Sequence, residues 1–211
     1  MICPLCGSDE SSAYHQDKTR SYRLCNCCNL VFVPPEHHLS PIEEKANYDL
    51  HDNQPDDPGY RNFLGRLFEP LAERIPVGAK GLDFGCGPGP TLSVMFKEAG
   101  HDVALYDAFY QADEAVFDDR YDFITLSEVA EHLSQPGPEL ERLWNCLKPG
   151  GWMGIMTKRV IDQEAFARWH YITDPTHVCF FSDRTFQWLA ERWSAADMVF
   201  VGKDVVLFNR Q

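Results

Sequence analysis

A short apolar run that ends in a glycine-rich turn constrains the fold of this chain more than any other stretch. Leu82-Asp83-Phe84 is followed by glycines at three alternate positions, 85, 87 and 89. Glycine permits φ > 0 and lets a ligand come close to the bare backbone. The next segment has apolar side chains at helical spacing, namely Leu92, Met95, Phe96 and Ala99. Strand, glycine turn and helix predict the first crossover of a nucleotide-binding α/β sheet, with the ligand over the strand's carboxyl end.

A carboxylate at the end of the next apolar run supports this interpretation. The residues from His101 to Tyr106 read as a second strand, and Asp107 follows them directly. In nucleotide-binding sheets, an acidic residue roughly 20 residues past the glycines hydrogen-bonds the ribose. The spacing therefore predicts that Asp107 binds a nucleoside ligand.

The cysteines are concentrated at the N-terminus, where five of the eight lie within the first 28 residues. Cys3 and Cys6 form one Cys-x-x-Cys pair, and Cys25 and Cys28 form another. Two such pairs predict a four-cysteine zinc ribbon, in which a hairpin brings the pairs together. Cys27 lies one position out of register, and an exchange of Cys25 for Cys27 stays open, as does a metal-free thiol cluster. Four thiolates close the coordination shell, so the predicted zinc is structural.

Charge and hydropathy narrow the class of protein. The formal net charge is −13, and this argues against binding to nucleic acid or to an anionic membrane surface. No window approaches the roughly 20 apolar residues of a membrane span, and the N-terminus lacks an apolar signal core. We therefore expect a cytoplasmic location and no membrane partner. The oligomeric state is left open, with a homodimer among the options.

The chain length allows one full domain and a small appendage. We expect a zinc ribbon over residues 1–33, a linker over 34–58 and the main domain over 59–211. The linker is rich in proline and carboxylates, and its histidines, His37, His38 and His51, are expected to be solvated. The stretch 48–53 could fold over the nucleotide site, although its composition also fits an exposed loop.

Periodicity predicts the remaining elements of the main domain. An amphipathic helix is expected over 60–75, with Pro70 kinking or splitting it. A buried strand at 121–127 leads into Glu128, Glu131 and His132, and ligands bind at such strand ends. A helix over 138–147, a strand over 152–157, an irregular aromatic stretch over 161–182 and a helix over 183–193 follow. Residues 198–208 read as a hairpin, which gives the sheet one reversed strand.

With these residues in view, the chain resembles the class I S-adenosylmethionine-dependent methyltransferases over residues 60–211. The resemblance is carried by the glycine-rich run 82–89, the acidic Asp107, the strand 121–124 leading into 128–132, the turn 147–151 and the closing hairpin. Zinc-ribbon members of this class are known, including rRNA guanine methyltransferases and sugar C-methyltransferases. The N-terminus is similar to their ribbons in outline.

The resemblance implies an α/β fold with a Rossmann-like sheet, mostly parallel with one antiparallel strand, and S-adenosylmethionine as cofactor. The residues then expected to bind the cofactor are Asp83, Gly85, Cys86, Gly87, Asp107, Ser127 and Glu128. Family members usually have a helix and a third strand after the ribose acid, whereas only residues 108–120 are available here. We therefore expect the third strand to be missing, and the adenine contact to come from 113–118 or from Ser127.

Three histidines are candidates for a base, because an oxygen or nitrogen nucleophile that is protonated at pH 7 has to lose its proton. They are His177, His132 and His170, each expected near the carboxyl ends of the strands. Each has the alternative of a purely structural role. Aromatic side chains around His170 are expected to wall a substrate pocket.

The sequence therefore predicts methyl transfer to a small-molecule or sugar-like acceptor, with S-adenosylmethionine and a structural zinc. One alternative is an rRNA or tRNA methyltransferase that uses the ribbon for RNA contact, although the ribbon has few cations, only Lys18, Arg20 and Arg23. Another is a catalytically inactive nucleotide-binding interaction protein. An NAD-dependent enzyme is disfavoured, because the glycines lack the spacing of the dinucleotide fingerprint.

Overall fold

The central element of the computed structural model, which describes residues 1–50 and 54–211, is a six-stranded sheet. Its strands are β4 (Lys80–Phe84), β5 (Asp102–Tyr106), β6 (Tyr121–Ser127), β7 (Leu147–Met156), β9 (Asp197–Val201) and β10 (Val205–Asn209). They lie in the order β5-β4-β6-β7-β10-β9. The pairs β4–β5, β4–β6 and β6–β7 are parallel, and β10 is antiparallel to both of its neighbours. The predicted sheet with one reversed strand is confirmed.

The edge of the sheet next to β5 is truncated, as the sequence predicts. Only a short 3₁₀ helix, Glu114–Asp118, lies between β5 and β6. The described residues of this segment contain no strand that could extend the sheet beyond β5. Tyr106, at the end of β5, donates its hydroxyl to Glu114 and packs edge-on against Phe117. The 3₁₀ helix therefore covers the edge that a third strand would otherwise occupy.

Helices lie on both faces of this sheet. They are α2 (Pro58–Ala72), α3 (Thr91–Glu98), α4 (Pro136–Cys146) and α6 (Asp183–Trp193), with a short α5 (Gln163–Phe166). Ser182 caps α6, because its hydroxyl accepts from the backbone N–H of Thr185. Of the two outcomes expected at Pro70, a kink or a split, the split is wrong, since α2 runs through Pro70 and ends two residues later.

A second, four-stranded sheet joins the N-terminal segment to the main domain. Its strands are β1 (Ser11–Gln16), β2 (Ser21–Cys25), β3 (Val31–Phe32) and β8 (Cys179–Phe180), in the order β1-β2-β3-β8. All pairs are antiparallel, and β8 comes from the aromatic stretch late in the chain. One continuous cluster of buried side chains runs from this sheet into the core around β6 and β7. The N-terminal segment is thus packed into the main domain.

The segment predicted as a linker contains a helix, α1 (Pro41–Tyr48). Ser40 and Glu43 form a capping box at its start, with Pro41 at the first helical position. The part of the predicted lid at residues 51–53, including His51, lies outside the described residues. Within the described ranges, no helix has both the length and the apolar composition that a bilayer span requires.

Candidate active site

A cavity of about 620 Å³ opens over the carboxyl ends of β4, β5 and β6. One end is formed by the glycine-rich turn and the loop after β5, and the other by the segments that follow β6 and precede β8. This is the position at which open α/β sheets bind ligands, and the volume suits a small molecule. Its polar lining includes Asp107, Ser127, Glu128, His132, Asp174 and His177.

The glycine-rich turn exposes backbone to the cavity. Gly85 and Gly87 both have positive φ, +73° and +63°. A Cβ on Gly85 would collide with the side chain of Val129, whereas a Cβ on Gly87 would meet no heavy atom within 4 Å. Position 87 is therefore an open place where a ligand can approach the main chain.

Asp107 joins this turn to the loop after β5. Its Oδ2 accepts from the backbone N–H of Gly87 at 3.0 Å. Its Oδ1 accepts from the N–H groups of Phe109 at 2.8 Å and Tyr110 at 3.1 Å. A carboxylate has about four lone-pair positions, so Asp107 keeps capacity for a ligand hydroxyl. The carboxylate is thus fixed at the cavity wall in the place predicted for a ribose contact.

Asp83 lies beneath the turn and does not line the cavity. Its side chain is buried, and Oδ1 accepts from the Thr125 hydroxyl at 2.8 Å. Burial raises the pKa of Asp83 to about 6, and the Thr125 hydrogen bond opposes this shift only in part. Asp83 therefore holds β4 against β6 below the predicted cofactor residues.

The other predicted cofactor residues, Cys86, Ser127 and Glu128, all line the cavity. Burial raises the pKa of the Cys86 thiol to about 12, so this thiol stays protonated at neutral pH. Glu128 has φ +53°, an uncommon backbone conformation for a non-glycine residue, and burial raises the pKa of its carboxyl to about 8. Of the two predicted adenine contacts, Ser127 borders the cavity, whereas no residue of 113–118 does.

Glu131, His132 and His177 form a cluster at the far end of the cavity. One ligand-type atom of each lies within 4.8 Å of the other two. Glu131 and His132 belong to a 3₁₀ helix, Ala130–His132, directly after β6. His177 comes from the loop before β8, and the N–H of Val178 donates to the carbonyl of Glu131 at 2.8 Å. The structure therefore brings together two of the three predicted histidines.

Both imidazoles are oriented by backbone carbonyls. His177 Nδ1 lies 2.7 Å from the carbonyl oxygen of Tyr171, and His132 Nδ1 lies 3.2 Å from that of Thr176. Carbonyl oxygens only accept, so each Nδ1 carries the hydrogen. Burial and the nearby imidazole of His132 lower the pKa of His177, which favours its neutral form.

Glu131, which the sequence analysis did not assign to the site, is the deepest member of the cluster. It is 0% exposed, and its Oε1 accepts from the Tyr171 hydroxyl. Its Oε2 has no hydrogen-bond partner among the described residues. Burial raises the pKa of this carboxyl. The adjacent glutamate and histidine after a buried strand were the sequence signal for this residue.

Arg20, from the N-terminal segment, holds the loop that carries His177. Its guanidinium is buried and donates to four backbone carbonyls at 2.6–3.1 Å, those of Ile172, Asp174, Pro175 and His177. Arg23 is likewise engaged, with the hydroxyl and the carbonyl of Ser11. Two of the three cations of the predicted ribbon therefore have structural partners within the chain.

His170 lies outside the cavity. It is exposed, borders a neighbouring outer pocket, and has its Nε2 3.0 Å from Lys158 Nζ. Helix α1 contributes cavity residues that the sequence analysis missed, Glu44 and Tyr48. Tyr48 also packs edge-on against the ring of His132. The capping box at Ser40 was the signal for this helix.

The four predicted zinc ligands lie together. The Sγ atoms of Cys3, Cys6, Cys25 and Cys28 are all within 4.8 Å of one another. The pairs Cys3–Cys28 and Cys6–Cys25 are each separated by 3.5 Å. A tetrahedral zinc with Zn–S bonds of about 2.3 Å requires sulfur separations of about 3.8 Å. Cys27 is exposed and outside the cluster, so the donor set fits the predicted four.

Comparison with known families gives one match, to the methyltransferase domain family, over residues 58–193. That match includes the glycine-rich turn, Asp107 and the Glu131–His132–His177 cluster. A search of curated protein sequences finds no match.

Several solved structures are similar to this chain. The 1,6-didemethyltoxoflavin-N1-methyltransferase of Burkholderia thailandensis, with bound 1,6-didemethyltoxoflavin and S-adenosylhomocysteine, has a TM-score of 0.55 and 16% identity, and the match covers 95% of this chain and 99% of that one. A SAM-dependent methyltransferase from Archaeoglobus fulgidus has a TM-score of 0.54 and 14% identity, covering 71% and 94%.

A third similar structure is a complex between the Trm112 methyltransferase activator and a methyltransferase of Haloferax volcanii. It has a TM-score of 0.51 and 15% identity, and the match covers 76% of this chain and 80% of that one. At these identities the likenesses show the fold.

Proposed function

Because the chain belongs to the methyltransferase domain family, we propose that it transfers the methyl group of S-adenosylmethionine to a small-molecule or sugar-like acceptor. One observation carries the proposal. A single cavity joins the open glycine turn and Asp107 at one end to His132 and His177 at the other, with Glu131 buried behind them. A donor and an acceptor bound at these two ends would meet inside one cavity.

The residues at the first end fit the cofactor. Position 87 offers bare backbone, and the Asp107 carboxylate is held where it can accept from the ribose hydroxyls. Ser127 and Glu128 extend the polar wall toward the acceptor end, and Asp83 supports the turn from below. Apolar contact with the adenine would come from side chains of the loop after β5 and of the segment after β6, including Ala108, Phe109 and Leu133.

When bound, the cofactor supplies a sulfonium-activated methyl group, and the chain's own residues orient the acceptor and exclude water. A protonated acceptor also loses a proton at the far end of the cavity. His177 and His132 line that end and are the better-supported candidates for accepting it. His170, which borders the outer pocket, is the weakest of the three.

Several features favour a small acceptor over RNA. The cavity is enclosed on several sides, the chain carries a net charge of −13, and two of the three ribbon cations bond within the chain. A similar fold from Burkholderia thailandensis has bound 1,6-didemethyltoxoflavin and S-adenosylhomocysteine. Retention of this protein on an RNA column at physiological salt would favour the RNA alternative instead.

We also propose that Cys3, Cys6, Cys25 and Cys28 bind one structural zinc. The separations of their sulfur atoms support it, and a closed shell of four thiolates leaves no position for a substrate. The proposed division is then a zinc ribbon over 1–33, a connecting segment over 34–58 and a methyltransferase domain over 59–211. The pairing of β3 with β8 ties the first unit to the third.

Thermal unfolding of the zinc-loaded protein tests the cofactor assignment. S-Adenosylhomocysteine at about 100 times its Kd is expected to stabilise the protein by about 2.7 kcal/mol, a rise in Tm of roughly 5–10 °C. NAD⁺ at the same concentration is the control and is expected to leave Tm unchanged. A shift with NAD⁺ and none with S-adenosylhomocysteine would overturn the proposal.

A further inference from the structure

The Glu131–His132–His177 cluster combines the ligand types of a divalent-cation site and opens onto the acceptor end of the cavity. We propose that Glu131, His132 and His177 bind a divalent metal ion, and that this ion binds an oxygen atom of the methyl acceptor. The proposal rests on the proposed function and specifies its acceptor class. It differs from the cysteine cluster, which has no open ligand position.

The hydrogen bonds of the two imidazoles prepare them as ligands. Each Nδ1 donates to a backbone carbonyl, of Tyr171 for His177 and of Thr176 for His132. In the neutral ring, this leaves the lone pair on Nε2. Metal-binding histidines characteristically donate their other N–H in this way, which fixes both the tautomer and the ring orientation.

The carboxylate of Glu131 provides an independent observation that points to a ligand at this site. The side chain is fully buried, yet Oε2 has no hydrogen-bond partner among the described residues. A buried carboxylate oxygen without a partner is costly, and buried charges in proteins are paired or bind metal ions. Its other oxygen accepts from the Tyr171 hydroxyl, and Tyr171 also provides the carbonyl that orients His177. One residue thus orients two of the three proposed ligands.

The surrounding scaffold fixes the distance between the ligands. The 3₁₀ helix that carries Glu131 and His132 is tied to the His177 loop by the Val178 N–H. Arg20 binds four carbonyls of that loop. Asp174 also borders the cavity, and its Oδ2 lies 3.8 Å from His177 Nε2. Asp174 can therefore hold a water molecule on the metal or serve as a fourth ligand.

The donor set indicates which ions and which acceptors fit. Two imidazoles and one carboxylate suit divalent ions of the first transition row, from Mn²⁺ to Zn²⁺, better than Mg²⁺ or Ca²⁺, which prefer oxygen ligands throughout. Three protein ligands leave coordination positions facing the cavity. A hydroxyl or phenol oxygen, or a pair of adjacent ones, is the acceptor chemistry that fills such positions.

The reaction balances without a further reagent. The acceptor hydroxyl binds the ion and releases its proton to water, since a bound cation lowers the pKa of a coordinated oxygen. The oxygen then attacks the methyl carbon, an O–CH₃ bond forms, the S–CH₃ bond breaks, and its electron pair returns to sulfur to give the neutral thioether. With the ion bound, His132 and His177 hold it as ligands, and water replaces them as the proton acceptor.

Titration with Mn²⁺ of protein that holds one zinc per chain, with excess zinc removed, tests the proposal, because thiolates bind Mn²⁺ poorly and its free form has an EPR signal. We expect one Mn²⁺ per chain beyond the zinc. Glu131→Gln is isosteric and keeps an oxygen for the Tyr171 hydroxyl, and we expect it to weaken Mn²⁺ binding at least tenfold. His132→Gln is a second variant with the same expectation. His37→Gln, in the segment before α1, is the control and should bind Mn²⁺ as the unsubstituted protein does.

The outcomes separate this proposal from the proposed function. Affinity for S-adenosylhomocysteine should change less than threefold in Glu131→Gln, because this residue is remote from Asp107. Normal S-adenosylhomocysteine binding without Mn²⁺ binding, or with equal Mn²⁺ binding in Glu131→Gln, would overturn the cation site and leave the methyltransferase assignment intact. Absence of S-adenosylhomocysteine binding would instead overturn the proposed function, whatever Mn²⁺ does.

Discussion

The cysteine cluster and the Glu131–His132–His177 cluster are two contrasting arrangements of side chains that could bind a metal ion. The four cysteines face one another across two turns, with three of them buried, and can satisfy a tetrahedral ion completely. The second cluster has three ligand atoms, one side open to a cavity and one carboxylate oxygen without a partner. Closed coordination is suited to holding a fold together, and open coordination is suited to binding a substrate.

The same contrast extends to the energetics of the two regions. In the cysteine cluster, each proposed ligand atom lies within 4.8 Å of the other three, so one ion can bind all four. Around the cavity, burial raises the pKa of Asp83, Glu128 and Glu131, so ionising these carboxyls in the folded protein costs free energy. Substitutions in the first region should therefore reduce stability, whereas substitutions in the second should reduce ligand binding and leave stability unchanged or higher.

Replacing a proposed zinc ligand should give the largest effect. Cys28→Ser removes a fully buried thiolate from the cluster, and we expect a loss of about 4 kcal/mol or more in the free energy of unfolding, with loss of the zinc. Cys27→Ser, one position away and exposed, should retain one zinc per chain by elemental analysis and an unchanged Tm. Equal zinc content in both variants would contradict the assigned ligand set.

Arg20 should give the next largest effect, and it tests how the two regions are joined. Arg20→Met leaves four carbonyls of the His177 loop without their donor, and we expect a loss of about 3 kcal/mol by urea unfolding. Arg23→Met, which removes bonds to Ser11 alone, should cost about 1 kcal/mol. Equal costs for the two would show that the N-terminal segment does not support the loop.

Asp107→Asn should weaken binding of S-adenosylhomocysteine by roughly 10- to 100-fold, because it removes a charged acceptor from the proposed ribose contact. The side-chain NH₂ of the asparagine also cannot accept a hydrogen bond. It would therefore face either the Gly87 N–H or the N–H groups of Phe109 and Tyr110 without bonding to them. Asp102→Asn, at the exposed start of the same strand, is the matched control and should bind normally. Equilibrium dialysis measures both, and identical affinities would remove Asp107 from the cofactor site.

Asp83→Asn should give the smallest effect, with a defined pH dependence. The folded-state pKa of Asp83, about 6, lies above the unfolded value of about 3.9. The folded state therefore binds the proton more tightly, and its stability falls as pH rises from 4 to 6. Relative to the unsubstituted protein, Asp83→Asn should gain roughly 2–2.5 kcal/mol between pH 4 and pH 8. Parallel stability curves over this range would contradict the pKa shift.

Local sequence signals were sufficient for most of the central sheet. The glycine turn after β4, the apolar run of β6, the Ser182 cap of α6 and the closing hairpin each have a cause within a few residues. The missing third strand followed from the short segment 108–120, compared with the helix and strand that the resembling family usually has there. Helix α1 was missed although its capping box was visible in the sequence, because the surrounding prolines and carboxylates suggested a linker.

The candidate site was only half predictable. The Asp107 end depends on a known spacing between the glycines and the acidic residue. In the structure, Asp107 accepts a hydrogen bond from the Gly87 N–H, so the two residues lie together. The other end depends on contacts between distant segments: β3 pairs with β8, and Arg20 bonds to the loop at 172–177. Neither contact leaves a pattern in the sequence near the residues that make it. For the same reason the sequence could not distinguish His177, inside the cavity, from His170, outside it.

A crystal structure of the zinc-loaded protein with S-adenosylhomocysteine tests the central claim most directly. The account predicts the adenosine in the cavity over residues 85–89, its ribose hydroxyls within hydrogen-bond distance of Asp107, and its sulfur directed toward Glu131, His132 and His177. Anomalous scattering should place zinc among Cys3, Cys6, Cys25 and Cys28. An adenosine bound elsewhere, or one that leaves Asp107 without a ligand contact, would contradict it.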